Sequence, residues 1–116
     1  MKIASARGTY EATFVGDFTV PLKAYAREGA VVIVDATVAA RYRAPLAKTL
    51  GAKNWISIRA DENTKTLDGG KALIEGLVER GFRRNQRIIA IGGGVVQDVV
   101  GFSASILYRG VEWVFF

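Results

Sequence analysis

An open α/β sheet, mostly parallel and preceded by a β-hairpin, is the fold class this sequence predicts. Two short runs without a polar residue, 31–34 (VVIV) and 88–91 (IIAI), read as strands covered on both faces. Segments with helical spacing lie between and after them, and strands that alternate with helices pair in parallel through right-handed crossovers. A glycine triplet, Gly92, Gly93 and Gly94, joins the second run directly to a long apolar segment. Strand, glycine turn and helix in that order set backbone N–H groups and a helix N-terminus against an anion.

Residues 2–15 alternate loosely, with Tyr10, Ala12 and Phe14 on one side and Glu11 and Thr13 on the other. Gly8 and Thr9 between two such runs predict the turn of a hairpin. Residues 17–28 read as a short helix interrupted by Pro21 and ended by Gly29. The strand at 31–34 ends at Asp35, and Thr37 is placed to cap the next helix, which Pro45 should kink or split. Residues 54–58 form the next strand through Trp55, Ile56 and Ile58. A polar loop follows over 61–65, and Thr66 caps a helix whose apolar stripe is Leu73, Ile74, Leu77 and Val78. Gly81 stops that helix. After the glycine triplet, Val95, Val96, Val99, Val100, Phe102, Ile106 and Leu107 leave almost no polar face, the pattern of a helix buried on most sides. Residues 111–116 form a last strand.

The bulk properties narrow the functional classes. A chain of 116 residues is one domain with room for a core. No apolar run approaches the roughly 20 residues that span a bilayer, and the N-terminus lacks the apolar stretch of a signal peptide. The absence of cysteine removes disulfides and thiolate metal sites and suits a cytoplasmic location. The absence of histidine removes the commonest zinc ligand and the commonest general base. The net charge of +5 is carried by scattered residues (Arg41, Arg43, Lys48, Lys53, Arg80, Arg83, Arg84, Arg87) without interleaved aromatics. That is a solvated surface rather than a nucleic-acid face, and it suits a small phosphorylated ligand.

Ligands of open α/β sheets bind outside the carboxyl ends of the strands. Asp35, the loop 61–65 and the glycine triplet all fall at those ends. The dinucleotide fingerprint G-x-G-x-x-G is half met, with Gln97 where the third glycine would stand. On spacing alone the triplet is an anion-binding turn or a plain tight turn. Asp98 is a carboxylate in an otherwise apolar helix, and its burial would demand a partner or a function.

The longer string GGGVVQDVVGF, followed by YRGVEWVFF, resembles the 3-dehydroquinate synthases and related sugar-phosphate cyclases. Asp98, Gly101, Phe102, Arg109 and Gly110 stand where that family places the same residues, and Gln97 replaces its usual glycine. The resemblance implies a Rossmann-like domain that binds NAD. It assigns Asp35 to the adenosine ribose, with Thr37 in place of the family's frequent asparagine. Glu62 and Lys65, similar to the family's Glu-x-x-Lys, approach the nucleotide. Gly93, Gly94 and Val95 cradle the pyrophosphate, and Asp98 faces the nicotinamide end. Arg109 reaches a substrate phosphate, often across a dimer interface. Helix capping by Asp35, a solvated charged loop at Glu62 and Lys65, and a surface salt bridge at Arg109 are the plain structural roles the same residues could fill.

The implied reaction is NAD-assisted elimination of phosphate from a heptulosonate phosphate, followed by ring closure. The zinc or cobalt ligands are expected in a C-terminal domain, so residues 1–116 are expected to hold no metal and no catalytic residue. The chain stops on an uncovered apolar strand (Trp113, Val114, Phe115, Phe116), an aggregation liability in a finished sheet. The expectation is therefore a single NAD-binding domain, 1–116, of a longer two-domain enzyme that is a homodimer when full length. The alternatives are the NAD domain of an iron-type polyol dehydrogenase, which Asp98 with Arg109-Gly110 fits less well, and a non-catalytic nucleotide-binding module.

Overall fold

Two interleaved sets of apolar side chains organise the structure. The computed structural model describes residues 1–6, 8–26, 29–52 and 54–116. Arg27 and Glu28, the end of the helix expected over 17–28, lie outside them, as do Arg7 and Lys53. Strands β3 (Val31–Asp35), β4 (Ile56–Ile58), β5 (Ile88–Ile91) and β6 (Trp113–Phe115) form a parallel sheet in the order β4-β3-β5-β6. Successive side chains of a strand point to opposite faces. Ile33, Ile88 and Ala90 therefore pack on one face, against Leu73 and Leu77 of α4 (Leu67–Glu79) and Val96, Val99, Val100 and Ala104 of α5 (Gly94–Ile106). Val32, Val34, Ile89 and Ile91 pack on the other, against Leu22 of α1 (Thr19–Ala26), Ala39 of α2 (Ala36–Arg41) and Leu46 of α3 (Arg43–Leu50). Every residue of β5 is buried, as its unbroken apolar run requires.

The predicted open sheet with parallel pairing is the one observed, and a separate antiparallel hairpin precedes it. The hairpin turn falls elsewhere than expected. β1 (Lys2–Ser5) and β2 (Gly8–Glu11) pair from Lys2 opposite Glu11 to Ser5 opposite Gly8, so the reversal lies before Gly8, and Gly8 and Thr9 belong to the second strand.

The two prolines both stand in the first turn of a helix. Pro21 does not interrupt α1, because it is the third residue, where a backbone N–H would have no helical acceptor anyway. Pro45 takes the same place in α3, and the split expected there occurs just before it, at Tyr42.

Helix ends follow local chemistry. Thr66 caps α4 by accepting from the N–H of Gly69 at 3.1 Å, as expected. At the other end Gly81, at φ 76°, turns the chain: its N–H donates to the carbonyl of Val78, and that of Phe82 donates to Leu77. Phe82 is thereby driven into the core beside Leu77. The cap of α2 is Asp35, not Thr37: the carboxylate of Asp35 accepts from the N–H of Thr37 at 2.8 Å. An aspartate at the strand end precedes the first helical residue by one, which is the capping position, whereas Thr37 is already inside the helix.

Two faces are less buried than the apolar patterns predict. Val78 of the α4 stripe is exposed, because Leu73 and Leu77 fill the space over the sheet. Helix α5 covers the sheet with Val96, Val99, Val100, Ser103 and Ala104, but Asp98, Phe102, Ser105 and Ile106 face outward, with Phe102 42% and Ile106 53% exposed. The last strand is covered only in part, and Phe115 remains exposed as expected. Trp113 lies over Gly101 of α5, and Phe116 meets the ring of Tyr25 edge-on.

Two glycines of α4 are expected to answer substitution with opposite signs. A Cβ at Gly69 would run into the backbone carbonyl of Thr64, whereas one at Gly76 would meet nothing within 4 Å. Gly69→Ala should cost about 1–3 kcal/mol, as overpacking does. Gly76→Ala should gain up to about 1 kcal/mol, the helix-propensity difference. Urea denaturation of both variants checks the pair, and equal effects would mean that the loop before α4 yields freely.

Candidate functional site

The chain leaves β3 and β5, which are neighbours, toward opposite faces of the sheet. β3 runs into α2 and α3 on one face, and β5 runs into α5 on the other. A crevice opens between two such strand ends, the point where ligands bind in open α/β sheets. Val34 pairs with Ile91, so Asp35 and Gly92 end the two strands side by side.

Glycine is needed at 92 for reasons internal to the chain. Its φ is 153°, and a Cβ there would stand 2.9 Å from Cγ2 of Val96 and 3.0 Å from Cβ of Asp35. Its N–H donates to the carbonyl of Phe116. The next two glycines differ. Nothing lies within 4 Å of the place a Cβ would take at Gly93 or Gly94, and neither has a positive φ. Packing and backbone conformation would both accept a side chain at these positions.

Gly93 is the N-cap of α5 and brings no side-chain acceptor. The N–H groups of Gly94, Val95 and Val96, at the open start of the helix, have no intrahelical acceptor. The first intrahelical bond runs from the N–H of Gln97 to the carbonyl of Gly93. Helices α2 and α4, by contrast, are capped by Asp35 and Thr66. Asp35 uses Oδ1 for its cap. Its Oδ2 has no hydrogen-bond partner among the described residues.

A second cluster stands beside the start of α5. Nζ of Lys65 lies 2.8 Å from Oδ2 of Asp98, with both side chains half exposed. The loop is shaped by Asp61, whose Oδ1 accepts from the N–H and hydroxyl of Thr64 at 3.0 and 3.1 Å. Those bonds hold the Asp61 carboxyl below the usual range. The hydrogen bond to Asp98, and then the charge of Asp98, hold the Lys65 ammonium above its ordinary range, with a smaller contribution from Glu62. Lys65 and Asp98 line one open pocket of about 280 Å³ together with Leu67 and Phe102. A larger groove of about 660 Å³ opens at the amino ends of β3 and β4, between Lys23, Trp55 and Arg80, and contains none of the expected site residues.

The structure thus joins Asp35 and Thr37 to Gly92 on one side of the α5 N-terminus, and Lys65 to Asp98 on the other. Gly93, Gly94 and Val95 lie between. Arg109 is not among them. It follows the far end of α5, whose 13 residues separate it from the glycines by about 20 Å. It makes no ion pair among the described residues, so the salt bridge that could have explained it is not observed. Two contributors escaped the sequence reading. Phe102 looked like core but lines the pocket, and Tyr108 shapes the turn that carries Arg109. The i, i+4 spacing of Asp98 and Phe102 is the signal that could have placed Phe102 on the same face as the carboxylate.

Residues 55–116, just over half of the chain, match the model of the 3-dehydroquinate synthase N-terminal family. The 3-dehydroquinate synthase of Rhodospirillum rubrum is 40% identical over 87 residues, which cover 72% of this chain and 23% of that protein. The chain spans less than a quarter of that relative's length. A solved structure of the 2-epi-5-epi-valiolone synthase of Streptomyces hygroscopicus subsp. jinggangensis, with NAD+ and Zn2+ bound, superposes with a TM-score of 0.65 at 28% identity. That match covers 74% of this chain and 25% of the other. A 2-deoxy-scyllo-inosose synthase complexed with carbaglucose-6-phosphate, NAD+ and Co2+ shares the fold over 99% of this chain and 34% of its own, with a TM-score of 0.76 and 22% identity.

The Lys65–Asp98 pair has a testable titration. The folded pKa of Lys65 lies above its ordinary 10.5, so the contribution of the pair is complete below about pH 10.5 and is lost as pH rises through the folded value. Asp98→Asn removes the two leading causes. The Lys65 titration, followed by carbon NMR at Cε, should then move down toward 10.5, with little change in Tm because both groups are open to solvent. An unmoved titration would mean that the pair does not form in solution.

Proposed function

The chain belongs to the 3-dehydroquinate synthase family, and from that premise we propose that it is the NAD-binding domain of a two-domain sugar-phosphate cyclase. The observation that carries this reading is the open space at Gly93 and Gly94. Neither packing nor backbone conformation asks for glycine there, whereas a phosphate pressed against the backbone at a helix N-terminus does. The uncapped N–H groups of α5 supply the donors.

The remaining residues take roles around that contact. Oδ2 of Asp35 is free to accept from ribose hydroxyls, while Oδ1 keeps the carboxylate aimed by its bond to Thr37. Glu62 and Lys65 approach the nucleotide from the loop before α4. Lys65 neutralises Asp98, so the two present a hydrogen-bonding pair to the nicotinamide end rather than an isolated charge. When bound, the dinucleotide supplies a reversible hydride acceptor for a carbinol of the substrate. The chain's own work is to bind and orient it. The solved valiolone synthase, 28% identical, contains NAD+ and Zn2+, and the inosose synthase is complexed with a sugar-phosphate analogue.

No group of three or more carboxylate, histidine or cysteine ligands occurs among the described residues; on this reading the ligands of a zinc or cobalt centre belong to a further domain. The proposed substrate is a heptulosonate phosphate, its phosphate held by Arg109. Because Arg109 stands a helix length from the glycine turn, it serves the site of a neighbouring subunit, and the full-length enzyme is a cytoplasmic homodimer. No helix among the described residues is long and apolar enough to cross a membrane.

Gly94→Val tests the cradle. Nothing lies within 4 Å of a Cβ at Gly94, so thermal stability should be retained while the NAD dissociation constant, measured by calorimetry, rises at least about tenfold, equivalent to roughly 1.4 kcal/mol. Equal affinity in variant and parent would reduce the turn to a structural one. Residues 1–116 by themselves, given NAD and zinc, should release no phosphate from the heptulosonate phosphate, and clear turnover would sink the two-domain reading.

A further inference from the structure

The turn between α5 and β6 carries a strain that its neighbours explain. Tyr108 and Arg109 are the two non-glycine residues with positive φ among the described residues, at 49° and 67°, and Gly110 follows at 109°. Left-handed backbone is disfavoured for side chains with a Cβ and persists where the surroundings impose it. Here the imposing contact is visible. The Tyr108 hydroxyl donates to the carbonyl of Phe82 at 2.9 Å. The two rings stack, with centroids 6.4 Å apart and planes 20° from parallel. Phe82 is itself fixed: it is 3% exposed, and its N–H is bonded to Leu77 in the turn that ends α4. The turn after α5 is therefore tied, through one phenol, to the end of α4.

The residue presented by that turn is Arg109, exposed and without an ion pair or hydrogen bond among the described residues. A connection whose only task is to join α5 to β6 gains nothing from holding a cation on strained backbone. We propose that Tyr108 is a positioning residue for Arg109: its bond to Phe82 holds the left-handed turn and so sets the direction in which the guanidinium leaves the surface. The inference rests on the reading of Arg109 as the anchor of a substrate phosphate. A guanidinium recognises phosphate through two parallel hydrogen bonds whose geometry is fixed. A turn free to rotate about Tyr108 would keep the charge and lose the alignment.

The test is a double-mutant cycle in the full-length enzyme with Tyr108→Phe and Arg109→Ala, assayed with the heptulosonate phosphate. Tyr108→Phe keeps the ring stack and removes the hydroxyl. It should raise KM for the phosphorylated substrate by about threefold to tenfold, the worth of one neutral hydrogen bond. kcat should stay within about twofold, and NAD affinity should be unchanged. In the Arg109→Ala background the same change should have no further effect on KM, because the residue acts through the arginine. A KM rise of the same size in both backgrounds overturns the proposal in favour of a merely structural lock. A parent KM in Tyr108→Phe beside a raised KM in Arg109→Ala overturns the proposal alone. A parent KM in Arg109→Ala removes the anchor and the proposal with it. Thermal melts of each variant check that the fold is retained.

Discussion

The pairing of β3 with β5 is the constraint from which the candidate site follows. The two strands lie side by side, yet the helices that leave them go to opposite faces of the sheet. That divergence opens the crevice and puts Asp35 against Gly92 at its floor. The contact is tight enough that no side chain fits at 92 beside Cβ of Asp35 and the Val96 methyl. The alternating register of the same strands sends Ile33, Ile88 and Ala90 to one layer and Val32, Val34, Ile89 and Ile91 to the other. One pairing thus holds both hydrophobic layers and the geometry of the site.

Three glycines in a row do different work. Gly92 is fixed by sterics inside the chain, while Gly93 and Gly94 leave space that the chain does not use. Helix capping makes the same distinction. At α2 and α4 a side chain satisfies the helix start, whereas α3, which follows directly on α2, has no side-chain cap. At α5 the cap is a glycine, and the first three helical N–H groups have no intrahelical acceptor. An uncapped start is a loss of stability unless another acceptor takes the place of the cap. Together with the open glycine face, it is the feature on which the proposed anion cradle rests.

The loop before α4 shows how a polar segment becomes part of a site. Asp61 folds the loop by accepting from Thr64, Thr66 starts the helix, and Lys65 between them is left to meet Asp98. Asp98 is half exposed, so its partner answers a nearby charge rather than a burial penalty. The outward stripe of α5, Asp98, Phe102 and Ile106, combines that carboxylate with exposed apolar surface. The hydrophobic pattern of the helix is thus divided between the sheet on one side and the pocket on the other.

The sequence by itself determined the fold class, the order of strands and helices, the break before Pro45, the stop at Gly81 and the cap at Thr66. Each is a local matter of periodicity or of one residue's backbone and hydrogen-bonding chemistry, and neighbours in the chain suffice to decide it. Asp35, the loop 61–65 and the glycine triplet could also be placed at one sheet edge, because in a parallel α/β sheet every strand ends there. The rest needed the third dimension. That Asp35 caps in place of Thr37, that Lys65 finds Asp98, and that Gly92 is crowded while Gly93 and Gly94 are open depend on which strands adjoin. The outward turn of Phe102 and Ile106 depends on how little of α5 the narrow sheet can cover. The lock of Tyr108 onto Phe82 joins residues 26 positions apart, and only the packing of α4 beside α5 brings that hydroxyl to its carbonyl.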